Sequence, residues 1–189
     1  MAHLNEENLA RARRLLEVYP QPRSALIPIC HVAQGQDGYL TGEAMEDIAV
    51  LCGVSPAEVQ GTASFYDMLH TEPVGKYVVA ICTNIACMLN GAYDVLEYAE
   101  ASLGIGVGQT SADGLFTIED AECLAGCDKA PCVQVNHRFF GPLDASGFDR
   151  LISDLKSGAL SADVPSHGVL SRVDRVVGLK ALPGEEGGR

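Results

Sequence analysis

Four of the seven cysteines in this 189-residue chain stand in two close pairs. Cys82 and Cys87 form C-x4-C (CTNIAC). Cys123 and Cys127 form C-x3-C (CLAGC), with residues 88–122 between the pairs. Thiolates are soft donors, and four of them brought together hold a metal ion or a metal–sulfur cluster. Zinc sites usually draw on tighter C-x2-C knuckles, because one tetrahedral ion must take all four sulfurs. A two-iron cluster tolerates looser pairs, since each iron takes two thiolates and two bridging sulfides. A Rieske centre needs two histidines, and none lies near these pairs. A thioredoxin-type dithiol wants C-x-x-C, which neither pair has. The spacing favours a [2Fe–2S] cluster and leaves zinc and a disulfide pair open as alternatives. Ala86, Gly91, Ala125 and Gly126 flank the pairs, and small residues let backbone N–H groups turn toward the sulfurs.

The elements that must position these thiols emerge from the apolar periodicity. The first 75 residues read as helices. Asn5 caps a helix with Leu9, Ala12, Leu15 and Leu16 on one side, stopped by Pro20. A second runs from Arg23 to Gln34, with Leu26, Ile29, Cys30 and Ala33 at helical spacing. Thr41 caps a third, which ends near Gly53. Ser55-Pro56-Ala57-Glu58 is a capping box that opens a fourth helix, running to about Phe65. Pro73 and Gly75 mark a boundary. Beyond it Lys76–Ile81 reads as a buried strand, Leu89–Leu103 as a helix and Leu115–Glu122 as a strand. Val133–Asn136 and Arg138–Phe140 form a hairpin, and Ala145–Leu155 a closing helix. The order β-α-β-β-β-α predicts a parallel βαβ unit, with each cysteine pair in a loop just after a strand. The expected class is mixed α+β or α/β. Residues 1–75 form a helical domain, 76–158 the cysteine-bearing domain, and 159–189 a tail rich in Gly, Ser and Pro.

Composition narrows the function. Acidic residues outnumber basic ones 25 to 13, a net charge of −12, which argues against nucleic acid or an anionic membrane as partner. No run approaches the roughly 20 apolar residues that span a bilayer, and MAHLNEENLARARR lacks a secretory apolar stretch. The expected home is the cytoplasm, where an odd number of cysteines argues for metal chemistry over a disulfide framework. Cys30 and Cys52 read as core residues. Gly104–Gly108 comes after a helix and reads as a turn, so no dinucleotide fingerprint is present. His3, His31, His70, His137 and His167 are scattered, without ligand spacing, and read as surface or capping residues. Ser64-Phe65-Tyr66 packs internally or meets a partner.

The cysteine segments CTNIACMLNGAYDVLEYAEASLG and DGLFTIEDAECLAGCDKAPCVQVN resemble the 24-kDa subunit family of respiratory complex I, the NuoE family of NADH-quinone oxidoreductase. The shared pattern is C-x4-C followed by E-C-L-x-x-C-x-x-A-P, here Glu122-Cys123-Leu124 through Cys127 to Ala130-Pro131. YPQPRSALIPICHVAQGQDGYL and GTASFYDMLHTEPVGKY extend the likeness over about residues 7–158. The resemblance implies an N-terminal helical bundle followed by a thioredoxin-like [2Fe–2S] ferredoxin domain. It implies one cluster bound by Cys82, Cys87, Cys123 and Cys127, one pair per iron, in an electron-transfer subunit of a complex peripheral to the cytoplasmic membrane. It also implies a neighbouring flavoprotein subunit that binds NADH and FMN and carries a [4Fe–4S] cluster. Homologous subunits serve NAD-reducing hydrogenases and NAD-linked formate dehydrogenases. A zinc-stabilised, non-redox adaptor is the contrasting reading. Cys132 departs from the aliphatic residue often found after the A-P pair and reads as a buried structural thiol at the start of the next strand, with a swap into the cluster coordination as the alternative that the four ligands do not require.

Overall fold

The computed structural model describes residues 3–164 and 167. Four helices come first: α1 (Glu6–Val18), α2 (Leu26–Asp37), α3 (Gly42–Cys52) and α4 (Pro56–Ala63). Each start has a local cause. The Asn5 side chain accepts from the Asn8 N–H at 2.9 Å, and Thr41 Oγ1 accepts from the Ala44 N–H at 3.1 Å. At α4 the reciprocal capping box closes between Ser55 and Glu58. The first predicted turn of α2 is a 3-10 turn, Pro22–Ala25, and α4 stops at Ala63, short of Phe65. The four helices share one core that includes Ile29, Leu40, Ile48 and Val59, with Cys30 and Cys52 buried in it as expected.

Gln34, 1% exposed, ties this core to the connector after α4. Its amide donates to the Met68 carbonyl at 2.9 Å and accepts from the His70 N–H at 2.8 Å. A buried amide with both ends satisfied fixes the course of that connector.

The second half is built on β1 (Tyr77–Cys82), α5 (Ile85–Leu89), α6 (Ala92–Leu103), β2 (Phe116–Ala121), β3 (Val133–Val135), β4 (Arg138–Phe140) and α7 (Ala145–Ser157). The sheet order is β2-β1-β3-β4. β1 runs parallel to β2, as the crossover helix requires, and antiparallel to β3, which pairs with β4 through the Asn136-His137 turn. Both turn residues have positive φ, 43° and 67°. Asn136 sustains this because its side chain bonds β1 and the residue before it, donating to the Lys76 carbonyl and accepting from the Val78 N–H, each at 2.8 Å. Val79, Ile81, Phe116, Ile118, Val133 and Val135 point to one face and pack with α6 and α7.

The helix expected over Leu89–Leu103 begins only at Ala92, and Leu89 instead ends a separate short helix, α5. Gly91 takes φ +90°, a conformation that ends α5 and restarts the chain as α6 in a new direction. Apolar periodicity continues across this break, which is why the pattern reads as one helix. Of the stretch read as a tail, only residues 159–164 and 167 are described. Val164 is buried against the sheet, and the His167 N–H donates to the Lys76 carbonyl at 2.8 Å.

Candidate metal centre

β1 and β2 lie side by side and parallel, with Cys82 opposite Ala121 at their last rung. Their two outgoing loops therefore start as neighbours. The first carries Cys82 at the end of β1 and Cys87 in α5. The second carries Cys123 and then Cys127, which opens a short 3-10 turn, Cys127–Lys129.

Backbone N–H groups turn inward onto the sulfurs. The Leu124 and Asn84 amides face Cys82, and the Cys132 amide faces Cys87, each favouring the thiolate. The Ala125 amide donates to Cys123 Sγ at 3.4 Å, in a loop where Ala125 itself has φ +56°. Leu124 belongs to the second loop, so the two loops approach each other at Cys82.

The four predicted ligands are not equivalent. Cys82 and Cys87 are buried and share one small cluster, whereas Cys123 and Cys127 are exposed. Burial opposes ionisation of Cys82, but the donors on its sulfur outweigh it and hold the thiol below its ordinary range. Burial, then the neighbouring Cys82 and Cys127, push Cys87 up. Among the described residues no three His, Cys, Asp or Glu side chains converge on a single ion position. The arrangement has an inner pair and an outer pair, served by amide donors. A two-iron cluster uses thiolates in such pairs and draws on such donors, so the residues present fit it.

Cys132 is fully buried, as expected, in one small cluster with Cys82 and Cys87, and burial pushes its thiol up to about 11. One feature escapes a reading of spacing alone. The histidines are not scattered. His70 and His167 meet edge to face with ring centroids 4.6 Å apart, and His31 and His137 stand close enough to depress His167 further. His70 Nδ1 is 3.7 Å from Glu119 Oε1. His70, His137 and His167 border a cavity of about 530 Å³ between the connector after α4 and the sheet face opposite α6 and α7, and Cys123 lines its edge. No spacing rule finds this, because each histidine comes from a different part of the chain.

Residues 12–156 match the thioredoxin-like [2Fe-2S] ferredoxin family, and the chain belongs to it. Among its relatives, the second E-type NADH-quinone oxidoreductase subunit of Rhizobium meliloti is 37% identical over 182 residues, covering 96% of this chain and 99% of that one. The E-type NADH-quinone oxidoreductase subunit of Mycobacterium bovis is 38% identical over 157 residues, covering 83% of this chain and 62% of the relative. Among solved structures, the NAD+-reducing [NiFe]-hydrogenase in its air-oxidised state superposes with a TM-score of 0.65 at 25% identity, over 74% of this chain and 24% of that one.

Proposed function

We propose that this chain is an electron-transfer subunit of an NADH-linked redox complex, holding a [2Fe–2S] cluster on Cys82, Cys87, Cys123 and Cys127. The observation that carries the reading is the junction of the two cysteine loops at adjacent ends of the parallel strands β1 and β2, where Cys82 stands opposite Ala121. When bound, such a cluster accepts and returns one electron. The chain's own residues set how readily it does so. Amide donors at the sulfurs favour the reduced state, and the net charge of −12 opposes it.

By likeness to the NADH-quinone oxidoreductase relatives, the neighbour is a flavoprotein subunit that binds NADH and FMN, in an assembly peripheral to the cytoplasmic membrane. Ile85 and Leu89, 67% and 77% exposed, flank Cys87 on α5 and give such a neighbour an apolar rim from which to exclude water. Among the described residues no helix is long and apolar enough to cross a membrane. The hydrogenase likeness supports a second assignment, the equivalent subunit of an NAD-reducing hydrogenase. Identifying the subunits that co-purify with the chain separates the two.

Anaerobically reconstituted protein is expected to hold two irons and two sulfides per chain and, with dithionite, to give one spin-half EPR signal. Cys123→Ser abolishes or distorts that signal, and Cys52→Ser leaves it unchanged. Stoichiometric zinc without sulfide would overturn the assignment and restore the adaptor reading. The isolated chain shows no NADH oxidation.

A further inference from the structure

We propose that Cys132 is a reserve ligand of the cluster, placed to take over the coordination position of Cys87 when that thiolate is lost. The inference rests on the assignment of the cluster to this chain and on three observations independent of it.

First, the β1–β3 register puts Ile81 opposite Val133, and the next rung is closed by the Cys82 N–H donating to the Cys132 carbonyl at 3.0 Å. Residues facing each other across antiparallel strands have Cβ atoms roughly 5 Å apart on one face. Cys82 and Cys132 are such a pair. Second, Cys82, Cys87 and Cys132 form one buried cluster, with Cys132 fully buried in it. Third, the Cys132 thiol reaches the second loop. A Cβ built on Gly126 would stand 2.6 Å from Cys132 Sγ. Cys132 is thus tied through its carbonyl to the strand of one ligand, shares a buried cluster with that ligand and a second, and brings its sulfur against the residue beside a third.

The exchange balances without an oxidant or reductant. With a cluster bound, the Cys132 thiol would pass its proton to the departing Cys87 thiolate as its own sulfur takes that ligand position, and no electron would move. In the wild-type chain the exchange would keep the cluster held through a transient opening at Cys87.

The test compares wild type, Cys87→Ala, Cys132→Ala and the double variant after anaerobic reconstitution, by iron and sulfide content and by EPR. Cys132→Ala is expected to match wild type in content and signal. Cys87→Ala is expected to keep most of its iron and sulfide with a shifted signal, and the double variant to lose them. An empty Cys87→Ala beside a loaded wild type overturns the inference alone, as does a double variant that matches Cys87→Ala. A wild-type chain without iron and sulfide overturns the functional reading as well. Should Cys87→Ala not fold, the rate of cluster loss to a chelator decides. Cys132→Ala and Cys132→Val should both bleach about tenfold faster than wild type, the order of effect seen when groups around a metal site are removed. Restoration of the wild-type rate by valine, which refills the space but has no sulfur, would show a packing role and overturn the inference.

Discussion

Gly126 and Cys132 set how closely the second cysteine loop approaches the end of β1. Gly126 has φ −100°, which any residue adopts, so its constraint is contact with Cys132 Sγ and not backbone conformation. Gly126→Ala forces the loop or the strand to move, and overpacking of this kind costs about 1–3 kcal/mol. The expected outcome is a lower melting temperature and incomplete iron loading. Gly126→Ala combined with Cys132→Ala should recover most of the melting temperature, because the second change removes the atom in the way. Thermal unfolding of the two variants reads both effects. The proposed ligand cysteines stand out in the sequence, since C-x4-C and C-x3-C are local. The amides that face them do not. Leu124 approaches Cys82 and Cys132 approaches Cys87 across 42 and 45 residues of chain, which only the sheet register brings together.

At the scale of elements, strand pairing and the connector matter more than any helix. Gln34 holds the segment Met68–His70, and with it the approach of the chain to β1. Gln34→Leu keeps the volume but leaves the His70 N–H and the Met68 carbonyl without their partner. Unmade buried hydrogen bonds make this a loss of about 2–4 kcal/mol, measured by denaturant unfolding. Ser55→Ala, which opens an exposed capping box, should cost only about 1 kcal/mol. Helix caps, the βαβ crossover and the hairpin are readable because they depend on neighbours in sequence, as at Asn5, Thr41 and Ser55, whereas the Asn136 side chain that holds the hairpin turn bonds Lys76 and Val78, 60 and 58 residues away. The break at Gly91 is not, because the apolar stripe continues through it. Nor is the role of Gln34, whose partners lie 34 and 36 residues away.

Over the whole molecule the histidine junction makes stability depend on pH. Burial, then the charges of His70, His137 and His31, lower His167 to about 4, and burial followed by His137 lowers His70. Both bind protons more weakly folded than unfolded, so the unfolded chain takes up more protons as pH falls below 6.5. Stability is therefore complete above that value and is lost progressively toward the folded value of His167, with Glu119 and Asp67 as the facing carboxylates. The melting temperature should drop between about pH 7 and about pH 5, by an amount equivalent to roughly 1–3 kcal/mol. His167→Phe, which keeps a ring against His70 but does not titrate, should flatten that drop. Net charge acts at the same scale. A chain at −12 disfavours an added electron, so raising the salt concentration should raise the potential of the centre, by tens of millivolts at most. The proposed redox role requires a pair of irons between the two cysteine loops, and iron-edge anomalous diffraction from crystals of the reconstituted protein tests it most directly. Two adjacent iron peaks are expected, one bonded to Cys82 and Cys87 and the other to Cys123 and Cys127. A single zinc peak there, or iron bound to other side chains, would contradict it.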